Sequence, residues 1–200
     1  MTTPSRPEET VLFVCTGNIA RSPFMEYTLR DRLADSPASD FRITSAGTFA
    51  VANGRLHPAV DTELARRGID AGAFTATQLT ARHALDAGLI LTASREHRRQ
   101  VARIAPERRN AIFTLRQFVR LVQLDPVGEV RLATSSGLLP ALAQLASRNR
   151  GLSSGTEDGD DIADPAGGSR RSFAAAFDAI DPAIEILAGL ISGGLRKGAS

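Results

Sequence analysis

Apolar positions along this chain of 200 residues fall into two rhythms. Unbroken apolar runs of strand length occur at TVLFV before Cys15, at AGLILTA (87–93) and at NAIFTL (110–115). FRITSAG (41–47) instead alternates apolar and polar residues before ending in small ones. Each predicts a strand, the unbroken runs being of the kind buried on both faces. The segments between them carry helical spacing. Met25, Leu29 and Leu33 recur every fourth residue behind Ser22-Pro23, a hydroxyl placed to cap a helix and a proline at its first position. HPAVDTELARRG (57–68) predicts a helix that stops at Gly68, and REHRRQVARIA (95–105) an arginine-faced one. Strand and helix alternate, which implies right-handed crossovers and a parallel sheet covered on both faces. Active sites in such sheets lie beyond the carboxyl ends of the strands, and Cys15 sits at the carboxyl end of the first.

Past Thr114 the alternation ends. LRQFVRLVQL (115–124) and SGLLPALAQLAS (136–147) predict helices, and RNRGLSSGTEDGDD (148–161) has the glycine, serine and acid content of a mobile linker. Phe173, Phe177, Ile180, Ile184, Leu187 and Ile191 then advance by four and three, one apolar stripe on a closing helix about 20 residues long. The expected organisation is a flexible lead at 1–9, one domain over 10–192 with a helical insertion and mobile linker at about 125–163, and a flexible tail at 193–200.

Composition narrows the function classes. A 42% hydrophobic content suits one globular core, and the +2 net charge rests on arginine, Lys197 being the only lysine among 24 basic residues. Such mild basicity gives no nucleic-acid footprint. One cysteine excludes an internal disulfide, and three scattered histidines plus that thiol give no metal-ligand spacing, so neither metal nor other cofactor is expected. The polar opening MTTPSRPEET lacks the apolar core of a signal peptide, and no apolar run reaches bilayer length. The expected setting is a reducing cytoplasm, without membrane contact.

The chemistry centres on VLFVCTGNIARSPF (11–24). With 23 arginines in 200 residues, an arginine six places after a cysteine arises by chance about once in nine, so the pair alone says little. The turn between them says more. Gly17 and Asn18 are the residue types that most easily take positive φ, and a strand-to-helix turn of that kind points successive amides inward as an anion nest. The nest, the helix terminus and a guanidinium all favour the thiolate, the form that attacks phosphorus. Arg21 offers a bidentate fork for two phosphoryl oxygens, and Ser22 a hydroxyl for the sulfur. The bland alternative is that Cys15 fills space as a small buried hydrophobe.

This stretch resembles the signature of the low-molecular-weight protein tyrosine phosphatase family, C-x5-R-S-P directly after the first strand. The likeness extends to TSAGT (44–48), RRGID (66–70), AGLILTASREH (87–97) and DIADP (161–165), in the family's order. It reaches the closing helix, where Phe173 follows Asp164 by nine residues, with Phe177 and Ile180 behind it. It covers most of residues 10–120 and 160–192. The resemblance implies a three-layer α/β/α fold, a four-stranded parallel sheet and a phosphate-binding loop after strand one. It also implies two-step, metal-free hydrolysis of phosphotyrosine in protein substrates. Cys15 would form a phosphocysteine held by Arg21 and by the amides of Thr16, Gly17, Asn18, Ile19 and Ala20. Asp164 would be general acid and then base, Asn18 and Ser45 would keep the loop in shape, and Ser22 would steady the thiolate.

Several positions carry a second reading. Asp164 closes an acidic run with Glu157, Asp158, Asp160 and Asp161 that resembles solvated linker; Pro165 and the fixed distance to the closing helix single it out, with Asp161 as substitute. Ala20 stands where many relatives have a second cysteine, so no internal disulfide can protect Cys15 from oxidation. Ala166 follows Asp-Pro where the family usually has an aromatic. Phe49 can supply an apolar wall instead, or is simply a packed loop residue. Phe74 and Thr77 replace a histidine and an arginine that often join the loop network. Ile19 favours phosphotyrosine, since relatives acting on phosphoarginine carry threonine there. Arg95, Arg98, Arg99 and Arg103 form either a solvated face or a docking patch for acidic partners. His57, His83 and His97 read as surface or capping residues without a catalytic part. The rival functions are a phosphoarginine phosphatase, an arsenate reductase-like protein, which needs two further cysteines, and a phosphate-binding module without turnover.

Overall fold

The six residues Thr10–Cys15, all buried, form β1, and the sheet is built outward from it. β2 (Arg42–Gly47) and β3 (Leu89–Thr92) flank β1, and β4 (Ile112–Thr114) pairs with β3, giving the order β2-β1-β3-β4 with every pair parallel. The register sets Cys15 opposite Gly47 and Val14 opposite Thr92, so the carboxyl ends of all four strands share one edge. The structure is a computed structural model that describes residues 9–124, 137–152 and 159–198. The expected flexible lead, the linker stretches 125–136 and 153–158 and the last two residues of the tail lie outside the described residues.

Helices cover both faces, because the pleat sends alternate side chains of β1 to opposite sides. Val11, Phe13 and Cys15 join the larger core with Phe24, Met25, Leu29 and Leu33 of α1 (Arg21–Leu33). That core also takes in α5 (Leu115–Gln123), α6 (Leu138–Asn149) and α7 (Arg170–Gly198). Leu12 and Val14 enter a smaller core with Ala84 of α3 (Ala81–Leu85) and Val101 of α4 (Arg95–Ile104). α2 (Pro58–Arg66) lies against α1 and α7 and contributes Val60 and Leu64 to the larger core. All six residues of the closing apolar stripe are buried.

The structure departs from the sequence reading in local detail. Ser22 does not cap α1: the helix starts at Arg21 with Ala20 as its N-cap and no side-chain cap, because the Ser22 hydroxyl is spent on the sulfur of Cys15. α7 spans 29 residues rather than about 20. The five-residue α3 and the 3-10 helix Pro106–Ala111 were not foreseen, both being too short to show periodicity. Asp160 is not solvated linker but buried, pairing with Arg120 at 2.9 Å. Among the described residues, no helix is long and apolar enough to cross a membrane.

Candidate active site

Residues 15–21 run from the end of β1 into α1, and their peptide planes are fixed from outside. The segment after β2 donates to four carbonyls of the turn: Thr48 N–H to Cys15, Phe49 N–H to Thr16, Val51 N–H to Gly17 and His57 N–H to Ile19, at 2.8–3.0 Å. In a trans peptide the next N–H points opposite the carbonyl. Turning these carbonyls outward therefore turns the amides of Thr16, Gly17, Asn18 and Ala20 toward the inside of the loop. Asn18 makes the turn with φ of 52°. Gly47 lets the β2 backbone approach, since a Cβ there would meet the Thr16 carbonyl oxygen at 2.4 Å. The result is a ring of inward amides at the amino end of a 13-residue helix, a site for an anion.

Beneath the ring a hydrogen-bonded chain reaches the sulfur. The Thr77 N–H donates to Asn18 Oδ1 at 2.7 Å, which fixes the orientation of that amide. Asn18 Nδ2 then donates to Ser22 Oγ (2.9 Å) and to Ser45 Oγ (2.8 Å). Having accepted from Asn18, Ser22 has its own hydrogen left for Cys15 Sγ, 3.0 Å away. Ser45 passes its hydrogen to Glu26 Oε2, and Glu26 is ion-paired with Arg30 at 2.5 Å. Burial pushes the Glu26 carboxyl up, Arg30 and Ser45 pulling against it. The chain ends at the sulfur, with the Ser22 hydroxyl placed to donate to it.

The third part comes from residues 159–166. Ile162 is anchored to the end of β3 through its N–H to the Ala93 carbonyl (2.8 Å), and its own carbonyl accepts from Arg21 Nη1 at 3.0 Å. Asp164 Oδ2 meets Arg21 Nη2 at 2.8 Å, and its other oxygen accepts the Ala166 N–H at 3.1 Å. Arg21 is 5% exposed, and its Nε is buried with no hydrogen-bond partner among the described residues. Asp161, the alternative acid, is engaged elsewhere: it accepts from the Arg95 N–H at 2.7 Å and pairs with that guanidinium. So Asp164 meets Arg21 at the end of the loop that Cys15 begins, while Asp161 ties its segment to α4.

Around the mouth, Thr16 is exposed and Gly17 and Ile19 are half-buried, whereas Asn18 and Ala20 face inward. Phe49 is 81% exposed, which excludes the packed-loop reading, and Ala166 is exposed beside Asp164, to which its N–H donates. Phe74 takes no part in the loop network and instead packs edge-on against Tyr27, while Thr77 joins through its backbone. Of the arginine face, Arg95, Arg98 and Arg99 are paired with Asp161, Gln117 and Glu96.

Two participants escaped the sequence reading. Glu26 sits on an ordinary amphipathic helix, where a carboxylate suggests solvent; only its four-residue spacing to Arg30 hinted at a pair. His57 and His83 cap α2 and α3 as expected, but His97 is 5% exposed and its Nε2 lies 2.8 Å from Thr16 Oγ1.

Comparison with known proteins gives the same picture. The chain is 31% identical over 144 residues to a protein-arginine-phosphatase of Bacillus subtilis, an alignment covering 69% of this chain and 95% of that one. It is 36% identical over 120 residues, 58% of this chain and 76% of the other, to the low molecular weight protein-tyrosine-phosphatase Etp of Escherichia coli. The solved YwlE arginine phosphatase of Geobacillus stearothermophilus superposes with a TM-score of 0.64 at 28% identity, over 90% of each chain. The model of the low molecular weight phosphotyrosine protein phosphatase family matches residues 10–128, and with the loop of Cys15 placed directly after strand one, the chain belongs to that family.

Proposed function

We propose that the chain hydrolyses phosphotyrosine in cytoplasmic protein substrates through a phosphocysteine intermediate. The observation that carries this reading is the 2.8 Å contact between Arg21 and Asp164, which brings an acid from the far end of the sequence to the loop that holds Cys15. In the first step the Cys15 thiolate attacks phosphorus. The S–P bond forms as the P–O bond to the tyrosine ring breaks, and Asp164 gives its proton to the departing oxygen. Arg21 and the inward amides of Thr16, Gly17, Asn18 and Ala20 hold the equatorial oxygens. In the second step Asp164 takes a proton from water, the water oxygen attacks phosphorus, and the S–P bond breaks to release phosphate. The thiolate leaves with the Ser22 hydroxyl donating to it.

Relatives of both substrate classes exist, and the rim of the site favours the aryl one. Ile19, Phe49 and Ala166 put apolar side chains at the rim, which suit a phenyl ring better than the guanidinium of a phosphoarginine. An exposed phenylalanine on the segment stitched to the loop suits a phenyl ring. The deciding experiment is turnover of phosphotyrosine, phosphoserine and phosphoarginine peptides by the wild type and by Cys15→Ser. Phosphotyrosine is expected to be the preferred substrate, with loss of at least about 10³-fold in the variant. Preference for phosphoarginine would move the assignment to the second class. No cysteine-dependent turnover would refute both.

A further inference from the structure

His97 is the one histidine buried beside the loop, and the proposed mechanism leaves it unused. Its ring is gripped at both nitrogens: Nδ1 lies 2.8 Å from Ser94 Oγ and Nε2 lies 2.8 Å from Thr16 Oγ1. Ser94 is the N-cap of α4 and its position is over-determined. Its Oγ accepts the backbone N–H of His97, and its carbonyl accepts from Thr92 Oγ1 and from the Arg98 N–H. The same end of α4 is tied to the acid-bearing segment through the bond from Arg95 N–H to Asp161. The ring therefore bridges two fixed bodies, the amino end of α4 and the first residue after the nucleophile.

Two tautomers of the ring satisfy these contacts, and one of them leaves a hydrogen free at the loop. Burial, with Arg21 adding to it, pulls His97 down to about 4, against the partial counter-pull of Asp164, Asp161 and Glu96. The ring is thus neutral at neutral pH, with one nitrogen a donor and the other an acceptor. Ser94 Oγ accepts the His97 N–H and keeps its own hydrogen, and in one tautomer that hydrogen goes to Nδ1. In that tautomer the ring proton sits on Nε2 and is donated to Thr16 Oγ1. Thr16 is exposed at the mouth of the loop, and with its oxygen satisfied from behind, its hydroxyl hydrogen is released to the open side.

Building on the phosphatase reading above, we propose that His97 is a positioning residue. By donating from Nε2 to Thr16, it turns the Thr16 hydroxyl toward the phosphoryl oxygens and so adds a side-chain donor to the ring of amides. The opposite tautomer, with Thr16 donating to Nε2, would spend that hydrogen on the ring, so the two arrangements predict opposite effects of removing the imidazole.

The test measures inorganic phosphate affinity and kcat and KM for an aryl phosphate in the wild type, Thr16→Val, His97→Ala, Thr16→Val/His97→Ala and His97→Gln. Thr16→Val and His97→Ala are each expected to weaken phosphate binding roughly tenfold to a hundredfold. The double variant is expected to be no worse than the poorer single one. His97→Gln, whose amide N–H can reach where Nε2 was, should recover to within about threefold of the wild type. Nitrogen NMR of the His97 ring should report a proton on Nε2. Wild-type affinity in His97→Ala, independent losses that multiply in the double variant, or a proton on Nδ1 would each overturn the proposal. If His97→Ala does not fold, Thr16→Val and the tautomer decide. A wild type that neither binds phosphate nor turns over any phosphoester refutes the phosphatase reading instead, and the tautomer still decides whether His97 donates to Thr16.

Discussion

Asn18 is the residue on which most of the loop turns: its backbone sits at φ 52°, and its side chain connects Thr77, Ser22 and Ser45. Aspartate could adopt that φ but has no hydrogens to give, so it would leave both serines pointing elsewhere. Phe49 is the residue of greatest consequence outside the loop. A phenylalanine left 81% exposed, on a backbone whose N–H is bonded to Thr16, has no packing role to lose. Phe49→Ala should therefore leave the melting temperature almost unchanged. It should raise KM for an aryl phosphate by roughly threefold to tenfold, in keeping with the loss of one partly exposed aromatic contact. KM for a small alkyl phosphate should hardly move, and an equal rise with both substrates would remove Phe49 from the substrate cleft.

Between elements, Arg67 ties α2 to α7. Its guanidinium makes two parallel bonds to Asp181, at 2.6 and 2.8 Å, accepts the company of Glu63 at 2.7 Å, and lies 4.8 Å from the centre of the Phe24 ring. The fork and the stacking are both properties of arginine that lysine lacks. Arg67→Ala should cost about 1–3 kcal/mol, read as a fall in melting temperature of roughly 3–10 °C, while kcat stays within about twofold of the wild type. A melting temperature unchanged by the substitution would show the pair to be ornamental. At this scale the sequence was most legible: unbroken apolar runs marked β1, β3 and β4, and the stripe from Phe173 to Ile191 marked α7. Elements too short for a period, such as α3, left no trace. The site was legible where residues lie close in sequence, from Cys15 to Ser22. Asp164 stood out through Pro165, its distance from the closing helix and its resemblance to a known pattern, because its contact with Arg21 spans a separation that no local spacing encodes. Ser22 carries two signals, a cap hydroxyl before proline and a hydroxyl for the sulfur, and only the second is used, because the sulfur competes for it. His97 was passed over because an arginine-rich segment reads as solvated, while the burial of one position in it depends on the loop that covers it.

The whole molecule integrates these local choices in its response to pH. His97 is held near 4 against an ordinary 6.5, so between those values the unfolded chain takes up a proton that the folded one refuses. Folding is therefore progressively weakened as pH falls from 6.5 to 4, with a slope of up to ~1.4 kcal/mol per pH unit from this one group. Glu63 acts in a lower window. Its bonds from Arg66 and Arg67 hold the carboxyl down to about 2 from 4.5, and the stability they give is present above 4.5 and lost as pH falls toward 2. Glu26 has the opposite sign. Burial raises it, so the folded chain binds its proton first, and acidification from above its folded value down to 4.5 favours folding. Above pH 4.5 the descending limb thus belongs to His97, whose charged neighbours are Arg21, Asp164, Asp161 and Glu96, and Glu26 blunts it. Urea unfolding measured from pH 7.5 to 3.5 should give a plateau above about 6.5 and a decline below it. His97→Gln should flatten the upper part of that decline, and Glu63→Gln only the part below 4.5. A His97→Gln curve that runs parallel to the wild type through the 6.5–4 window would mean that the ring exchanges protons with solvent in the folded state, and so is not sealed between α4 and the loop.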